Sequence, residues 1–461
     1  MRTYEGATAV EINAEQALRR SVLSCMLWED TFYENGTSIS QRIEELIPQV
    51  DPEIVASLAI EAREKFKLRS VPLLLVKKLA EIKRGSNLVS KVLSKVIQRP
   101  DELTKFMEIY WMNGKKPFSA QVKKGLASVF TKFNEYQIAK YNRDGNIKLR
   151  DVMLLTHPKP KNEQQSNMWK RLLNKELATP DTWEVRLSSG ADKKNSWEEL
   201  LTNNKMGALA VLKNIRNFQR DDVDPDIIKQ ALNDLKTERV LPFRFLTASR
   251  YADSDYQEHI ENAMFKCIDT REKLNGKTII LVDVSGSMDD ALNSSRTTGR
   301  RYWSTERNEE NIVSRIDVAS GLAILLREIC DNVAVYTFST YATKVKPDRG
   351  FKLRDNIYKS QQHSGTALGK ALDHINKYEE RYDRLIVITD EQSQDNISKF
   401  TPKGKAYLIN VAPYAHGIGY GEKWIHIDGF SEAVIDWIQS YEPMLDNGWK
   451  STIERILFSE F

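Results

Sequence analysis

The chain has 461 residues, 41% of them hydrophobic and 29% charged, with a net charge of +4; that length exceeds one ordinary core and predicts roughly two to four domains. No apolar run approaches the ~18 residues of a membrane span, the longest being Val71–Val76, and the N-terminus lacks a secretory leader, so a cytoplasmic protein is expected. Cys25, Cys267 and Cys330 are widely spaced, with no CxxC and no nearby histidine pair, which argues against a disulfide framework or a zinc cluster and for reduced, buried thiols.

From about residue 12 to residue 245 the apolar residues recur at helical spacing. Ala14–Trp28, 40–47, 52–60, Ser70–Ile82, Phe118–Tyr136 and Ile227–Leu235 each carry one apolar stripe. Asp51-Pro52 and Asp224-Pro225 have the form of helix starts: aspartate can cap, and proline suits the first turn. Many short amphipathic helices in succession suggest a degenerate solenoid of helix pairs.

The helical part holds most of the basic charge. Residues 61–175 contain 26 basic against 10 acidic side chains. A solvated lysine-rich surface is the plain account; a polyanion-binding face is the sharper one, because neutralising phosphates releases counterions. Within Phe118–Pro160, Lys123, Lys124, Lys132, Lys140, Arg143, Lys148, Arg150, His157 and Lys159 are interleaved with Phe130, Phe133, Tyr136 and Tyr141. Tyr141 is a candidate for stacking on a base. The prolines at 158 and 160 predict an extended loop that holds His157 and Lys159 outward.

Past residue 270 the texture changes. The runs 278–285, 333–338, 385–390 and 406–411 read as strands, and Ile312–Ile329, Thr366–Tyr378 and Ala433–Tyr441 as helices. Strand and helix alternate at βαβ spacing, which predicts a doubly wound, Rossmann-like α/β sheet. The chain is therefore expected to be α followed by α/β, with domains 1–270 and 271–461.

Open α/β sheets place their sites at the carboxyl ends of the strands. The first predicted strand ends in Asp283-Val-Ser285-Gly-Ser287, the third in Thr389-Asp390-Glu391, and the loop His363-Ser-Gly-Thr366 opens a helix. Asp283, Ser285, Ser287, Thr366 and Asp390 are hard oxygen donors, too few to fill six positions. Such a set suits Mg²⁺ that keeps waters or binds a partner's carboxylate. The competing readings are loop-capping residues without metal and a nucleotide site. The second lacks a glycine-rich phosphate loop followed by Lys-Ser/Thr. A hydrolase is the weakest expectation, since no paired acid and base, HExxH or G-x-S-x-G is present.

Two resemblances follow from these residues. Asp-x-Ser-x-Ser, the Ser-Gly-Thr loop and the strand-terminal Thr-Asp resemble the metal-ion-dependent adhesion site of von Willebrand factor A domains. The segments 62–73, Lys123-Lys-Gly-Leu126, Ala139-Lys-Tyr-Asn-Arg143, 148–152 with Thr156-His-Pro-Lys-Pro160, and Leu241–Leu246 resemble the TROVE module of the Ro autoantigen family over essentially the whole chain. The second resemblance implies a HEAT-like helical ring followed by a von Willebrand A-type domain. It also implies a non-catalytic ribonucleoprotein that binds small Y-like RNA on a basic surface and single-stranded ends of misfolded RNA in the ring, for RNA quality control or processing. An exoribonuclease is the implied protein partner. Lys140 and His157 match the family's RNA-contact positions; Lys123, Lys124, Arg143, Arg150 and Lys159 are added from charge and place. Leu154 departs from the pattern, standing where animal relatives have an arginine, and leaves the contacts on that face in doubt. A monomer is expected. The alternative function is a metal-dependent adhesion module that recruits a protein partner without RNA.

Overall fold

The computed structural model describes residues 2–25, 27, 36–82, 87–142, 145–188, 190, 192–238, 240–266, 272–289, 313–419 and 421–446. Helices come first. They are α1 (Ala14–Leu23), α2 (Gly36–Leu46), α3 (Pro52–Glu64), α4 (Ser70–Ile82), α5 (Leu88–Val96), α6 (Pro100–Tyr110), α7 (Ala120–Phe130) and α8 (Glu135–Tyr141). They continue with α9 (Leu149–Thr156), α10 (Glu163–Asn174), α11 (Trp183–Ser188), α12 (Lys193–Thr202), α13 (Ala208–Arg220), α14 (Pro225–Asn233), α15 (Phe243–Ser249) and α16 (Ser254–Phe265). The α/β part follows as β1 (Leu274–Asp283), α17 (Arg315–Ile329), β2 (Cys330–Phe338), β3 (Ala342–Val345), α18 (Gly350–Tyr358), α19 (Leu368–Tyr378), β4 (Arg384–Thr389), β5 (Lys405–Asn410), β6 (Ile425–Asp428) and α20 (Ala433–Asp446).

The described residues form two compact units, one drawn from Met1–Gln41 and Trp197–Arg455, the other from Arg42–Ser196. The N-terminal helix α1 and the helices α13–α16 thus group with the sheet.

In the all-helical unit α3 to α9 pack on near neighbours in sequence: α3 on α4 and α5, α4 on α6, α5 on α7, α6 on α8 and α9, and α7 on α9. This short-range stacking is what amphipathic stripes without strand partners produce. Asp51 caps α3 as expected, accepting from the Glu53 N–H at 2.8 Å, with Pro52 at the first position. Gly125 lets α5 and α7 approach, since a Cβ there would lie 2.8 Å from Leu93 Cδ1. The single helix predicted over Phe118–Tyr136 is two. Asn134 breaks it by capping α8, exchanging hydrogen bonds with Gln137, because a short amide satisfies terminal N–H groups better than it continues a helix.

Basic residues of the family-like motifs at 62–73 are spent inside this unit. Arg63 is buried and donates to Glu102 at 2.7 Å and to the Val96 carbonyl at 2.9 Å. Glu102 in turn accepts from the Gln98 and Arg99 N–H groups. One guanidinium therefore fixes the end of α5 against the start of α6.

The second unit carries a six-stranded sheet in the order β3-β2-β1-β4-β5-β6. All neighbours are parallel except β2 and β3. The sheet is thus mixed. Strands β3 and β6 are four residues each, the shortest length at which alternation can signal a strand. Ile279 and Leu281 of β1 pack with Leu368, Leu372 and Ile375 of α19 on one face. Side chains alternate along a strand, so Ile280 and Val282 face the other side, where α17 packs on β1. α15 packs on α17 and α13 on α15. Cys25 and Cys330 are buried thiols, and Cys267 lies outside the described residues. No described helix is long and apolar enough to cross a membrane.

Candidate cation centre and nucleic-acid interface

β1 ends at Asp283 in the interior of the sheet, and the chain order reverses between its neighbours β2 and β4. Such a reversal opens a crevice at the carboxyl ends of the strands. Asp283 is fully buried; its Oδ1 accepts from the Ser285 N–H at 2.9 Å and its Oδ2 from the Thr389 hydroxyl at 2.6 Å. The Ser285 and Ser287 hydroxyls lie 3.3 Å apart, and Ser287 donates to Asp390 Oδ2 at 2.6 Å. The Gly286 N–H donates to the Ser364 carbonyl at 2.8 Å, which brings in the loop bearing Thr366. Thr366 is 2% exposed, and its carbonyl accepts from the Gln394 N–H at 2.7 Å. Asp283, Ser285, Ser287 and Asp390 are thus linked by hydrogen bonds at the carboxyl ends of β1 and β4, and the loop bearing the buried Thr366 is tied to them through the backbone of Ser364.

The electrostatics of this cluster favour a cation. Burial, then the charge of Asp390, pushes the Asp283 carboxyl up to about 7. Two carboxylates and three hydroxyls, all hard donors, share a space nearly closed to water. A small divalent cation would relieve the repulsion, so the residues fit Mg²⁺.

The residue beside Asp390 turns away from this cluster. Glu391 has φ +64°, a left-handed conformation that a non-glycine residue holds only when its surroundings impose it. Its fully buried carboxylate accepts from the equally buried guanidinium of Arg20 on α1 and pairs with His426 Nε2. Burial alone would raise the Glu391 carboxyl, but Arg20 and His426 outweigh it and hold it at about 2. Arg20 also donates to the Tyr414 carbonyl at 2.5 Å. The chain before α1 lies along the same loop: Thr3 Oγ1 donates to the Ser393 carbonyl at 2.6 Å, and the Tyr4 N–H to Gln392 Oε1 at 2.8 Å. His363 pairs with Asp289 at 2.9 Å, tying the loop after β1 to the Thr366 loop. None of these partnerships has a sequence signal, since Arg20 and Glu391 are 371 positions apart.

In the helical unit some basic residues are paired and others are not. Arg69, Lys77, Lys78, Lys105, Lys116 and Arg171 pair with carboxylates. Lys132 donates to the Ser94 and Ile97 carbonyls at the end of α5, and burial lowers its pKa. By contrast Lys123, Lys124, Lys140, Arg150, His157 and Lys159 have no carboxylate partner among the described residues. Lys123 and Lys124 are exposed on α7, Lys140 ends α8, Arg150 is half-buried on α9, and His157 and Lys159 follow α9. Arg143 lies outside the described residues.

Two expectations need correction. His157 is left-handed, φ +50°, and its N–H closes on the Met153 carbonyl at 2.9 Å to end α9, so the loop becomes extended only after it; its side chain is exposed as expected. The Tyr141 ring is covered by Arg99, 4.5 Å from its centroid, with Lys140 at 6.0 Å. Tyr136, 48% exposed and 5.8 Å from the Lys140 ammonium, is the more accessible ring.

The TROVE domain family model matches residues 5–176 and 170–315. A 78-residue stretch, 16% of the chain, is 37% identical to telomerase protein component 1 of Mus musculus and 36% identical to that of Rattus norvegicus. It spans 3% of the length of those curated relatives. The fold is similar to the crystal structure of the Deinococcus radiodurans RO (RSR) protein, with a TM-score of 0.60 and 14% identity, covering 93% of this chain and 99% of that one. A family match over most of the length, on a helical array followed by an α/β sheet, places the chain in the TROVE domain family.

Proposed function

We propose that the protein is a non-catalytic RNA chaperone or scaffold of the cytoplasm, a monomer that binds small structured, Y-like RNA and single-stranded RNA ends for quality control or processing. The observation that carries this reading is the set of basic residues without a carboxylate partner on α7, α8 and α9 and in the turn after α9. Lys140 and His157 are the principal contacts, with Lys123, Lys124, Arg150 and Lys159, and Arg143 from outside the described residues. Exposed ammonium groups bind phosphates broadly and give strong salt dependence, and the exposed Tyr136 ring offers a stacking face. The HEAT-like ring belongs to this proposal.

A second role rests on the cluster at the end of the sheet. The α/β domain is read as a von Willebrand A-type module in which Asp283, Ser285, Ser287, Thr366 and Asp390 hold Mg²⁺. The bound ion would offer an open coordination position to a carboxylate of a protein partner, such as an exoribonuclease. The chain's own part is to keep Asp283 and Asp390 oriented through Thr389 and Ser287.

The test is a gel-shift titration at fixed salt with a small hairpin RNA carrying a single-stranded tail. Lys140→Glu and His157→Glu together should weaken binding at least tenfold, with an unchanged melting temperature. Equal affinity of the variant and the parent would remove these residues from the interface. RNA-free protein that captures a partner only with Mg²⁺ would favour the adhesion module alone.

A further inference from the structure

The first residues of the chain are bound to the loop that follows β4. The Thr3 hydroxyl donates to the Ser393 carbonyl at 2.6 Å, and the Ala7 N–H reaches the same carbonyl at 3.3 Å. The Tyr4 N–H donates to Gln392 Oε1 at 2.8 Å and the Thr8 N–H to Asn396 Oδ1 at 2.6 Å. Ala7 is buried and packs with Ile279, Leu281 and Ile418 in the core of the sheet. Between these pins the chain reverses. The Gly6 and Ala7 N–H groups close on the Thr3 carbonyl at 3.2 and 2.9 Å, Gly6 takes φ +101°, and Arg2 bridges Thr8 antiparallel. Glu5 is at the tip of this turn.

The same pins hold the tip beside the cation centre. Gln392, which accepts from the Tyr4 N–H, donates its own N–H to Asp390 Oδ1 at 3.2 Å. A single residue therefore joins the backbone next to Glu5 to the Asp390 carboxylate. The Glu5 side chain is exposed, yet partial desolvation, then the charge of Asp390, raises its carboxyl. With Asp283 and Asp390 already close together, a third acid fixed at this edge is unfavourable by itself, because like charges repel. A dication between Asp283 and Asp390 reverses the sign, and the repulsion on Glu5 becomes attraction. The donors Asp283, Ser285, Ser287, Thr366 and Asp390 leave a position of an octahedral Mg²⁺ unfilled, and a carboxylate oxygen is the hard ligand that suits it.

We propose that Glu5 is an intrinsic ligand of the cation centre, a carboxylate carried on the N-terminal turn that takes the coordination position otherwise open to a partner. The proposal rests on the Mg²⁺ reading of the cluster above and adds a ligand to it. Thr3, Ala7 and Thr8 stay fixed, so only the Glu5 side chain has to rotate away when a partner's carboxylate arrives. The turn thereby sets a threshold that the partner must exceed.

The experiment is titration of the full chain with Mn²⁺, a paramagnetic substitute for Mg²⁺ with the same preference for oxygen ligands, followed by water proton relaxation. The proteins are the parent, Glu5→Gln, Glu5→Asp and Asp283→Ala. Glu5→Gln should bind Mn²⁺ at least about tenfold more weakly, the lower end of what loss of even an outer-shell partner costs. Each bound ion should also relax water faster, because a water fills the vacated position. Glu5→Asp keeps the charge but shortens the reach, and should shift in the same direction. Acetate should slow the relaxation of Mn²⁺-loaded Glu5→Gln at a concentration that leaves the parent unchanged. In EDTA the melting temperature of Glu5→Gln should equal or exceed that of the parent, which separates a lost ligand from a damaged fold. Parent-like affinity and relaxation in Glu5→Gln overturns the ligand and leaves the cation centre standing. Weaker binding by Glu5→Gln with unchanged relaxation per ion, beside a Glu5→Asp equal to the parent, also overturns it, since Glu5 then acts through its charge alone. A parent that binds no Mn²⁺, or an Asp283→Ala that binds as tightly as the parent, overturns the cation centre and the ligand together.

Discussion

Arg20→Met tests whether the N-terminal helix is bound to the end of the sheet by charge. The change keeps much of the side chain's length and removes its charge, leaving the Glu391 carboxylate fully buried with His426 as its remaining ionic partner. Glu391 is held at about 2 against an ordinary 4.5. Returning it to the ordinary value corresponds to about 3 kcal/mol at pH 7, within the 3–5 kcal/mol typical of breaking one side of a buried pair. The thermal midpoint should fall by roughly 6–12 °C. The pH dependence follows from the sign. In the parent, a depressed carboxyl contributes stability that is fully present above about 4.5 and is lost as pH falls toward 2. In Arg20→Met that contribution is absent, so the gap between the two proteins should be widest at neutral pH and narrow steadily below pH 4.5. Arg20→Met/Glu391→Gln should recover most of the loss, because no uncompensated charge stays buried. Thermal melts followed by tryptophan fluorescence at pH 7, 5, 4 and 3 give all of these quantities. A loss below 1 kcal/mol at pH 7, or a double variant no better than the single one, would refute the reasoning.

Other consequences can be read in the same melts. Mg²⁺ at a hundred times its dissociation constant should stabilise the parent by about 2.7 kcal/mol, and Asp283→Ala should abolish that response. In EDTA the parent should lose stability as pH rises from about 4 through 7, because the Asp283 carboxyl is raised to about 7 when folded; Asp283→Asn should flatten that slope. Glu379 accepts from Lys277 and Tyr336 at 2.6 Å and Lys344 at 2.8 Å; burial would raise its carboxyl, but these donors bring it to about 2. Glu379→Gln should therefore cost about 1–2 kcal/mol at pH 7, discounted because Lys344 is 58% exposed, and the cost should vanish as pH falls from 4.5 toward 2. Gly417→Ala would drive a Cβ into the Glu391 carboxylate and the Arg20 guanidinium, lowering stability by about 1–3 kcal/mol in urea denaturation.

The order of helices then α/β sheet was legible because amphipathic stripes and buried strand runs are written locally, in the periods 3.6 and 2. So were the oxygen donors. Asp283, Ser285 and Ser287 are fixed to one another by the turn that follows a strand, and Asp390 and Thr366 lie at element ends where such sheets expose their loops. The helix break at Asn134 also had a local cause, though the apolar run across it hid the cap.

What the chain could not disclose by itself is which charges are spent. Arg63 and Lys123 look alike as basic residues in a basic segment, yet one is buried on Glu102 and the other is exposed without a carboxylate partner. Glu391 beside Asp390 reads as a second acid of the same site until its left-handed backbone turns it to Arg20, 371 residues away. Local periodicity decides which elements form, but ion pairing depends on separations of a few ångströms between segments distant in sequence. Only the tertiary structure sets those separations.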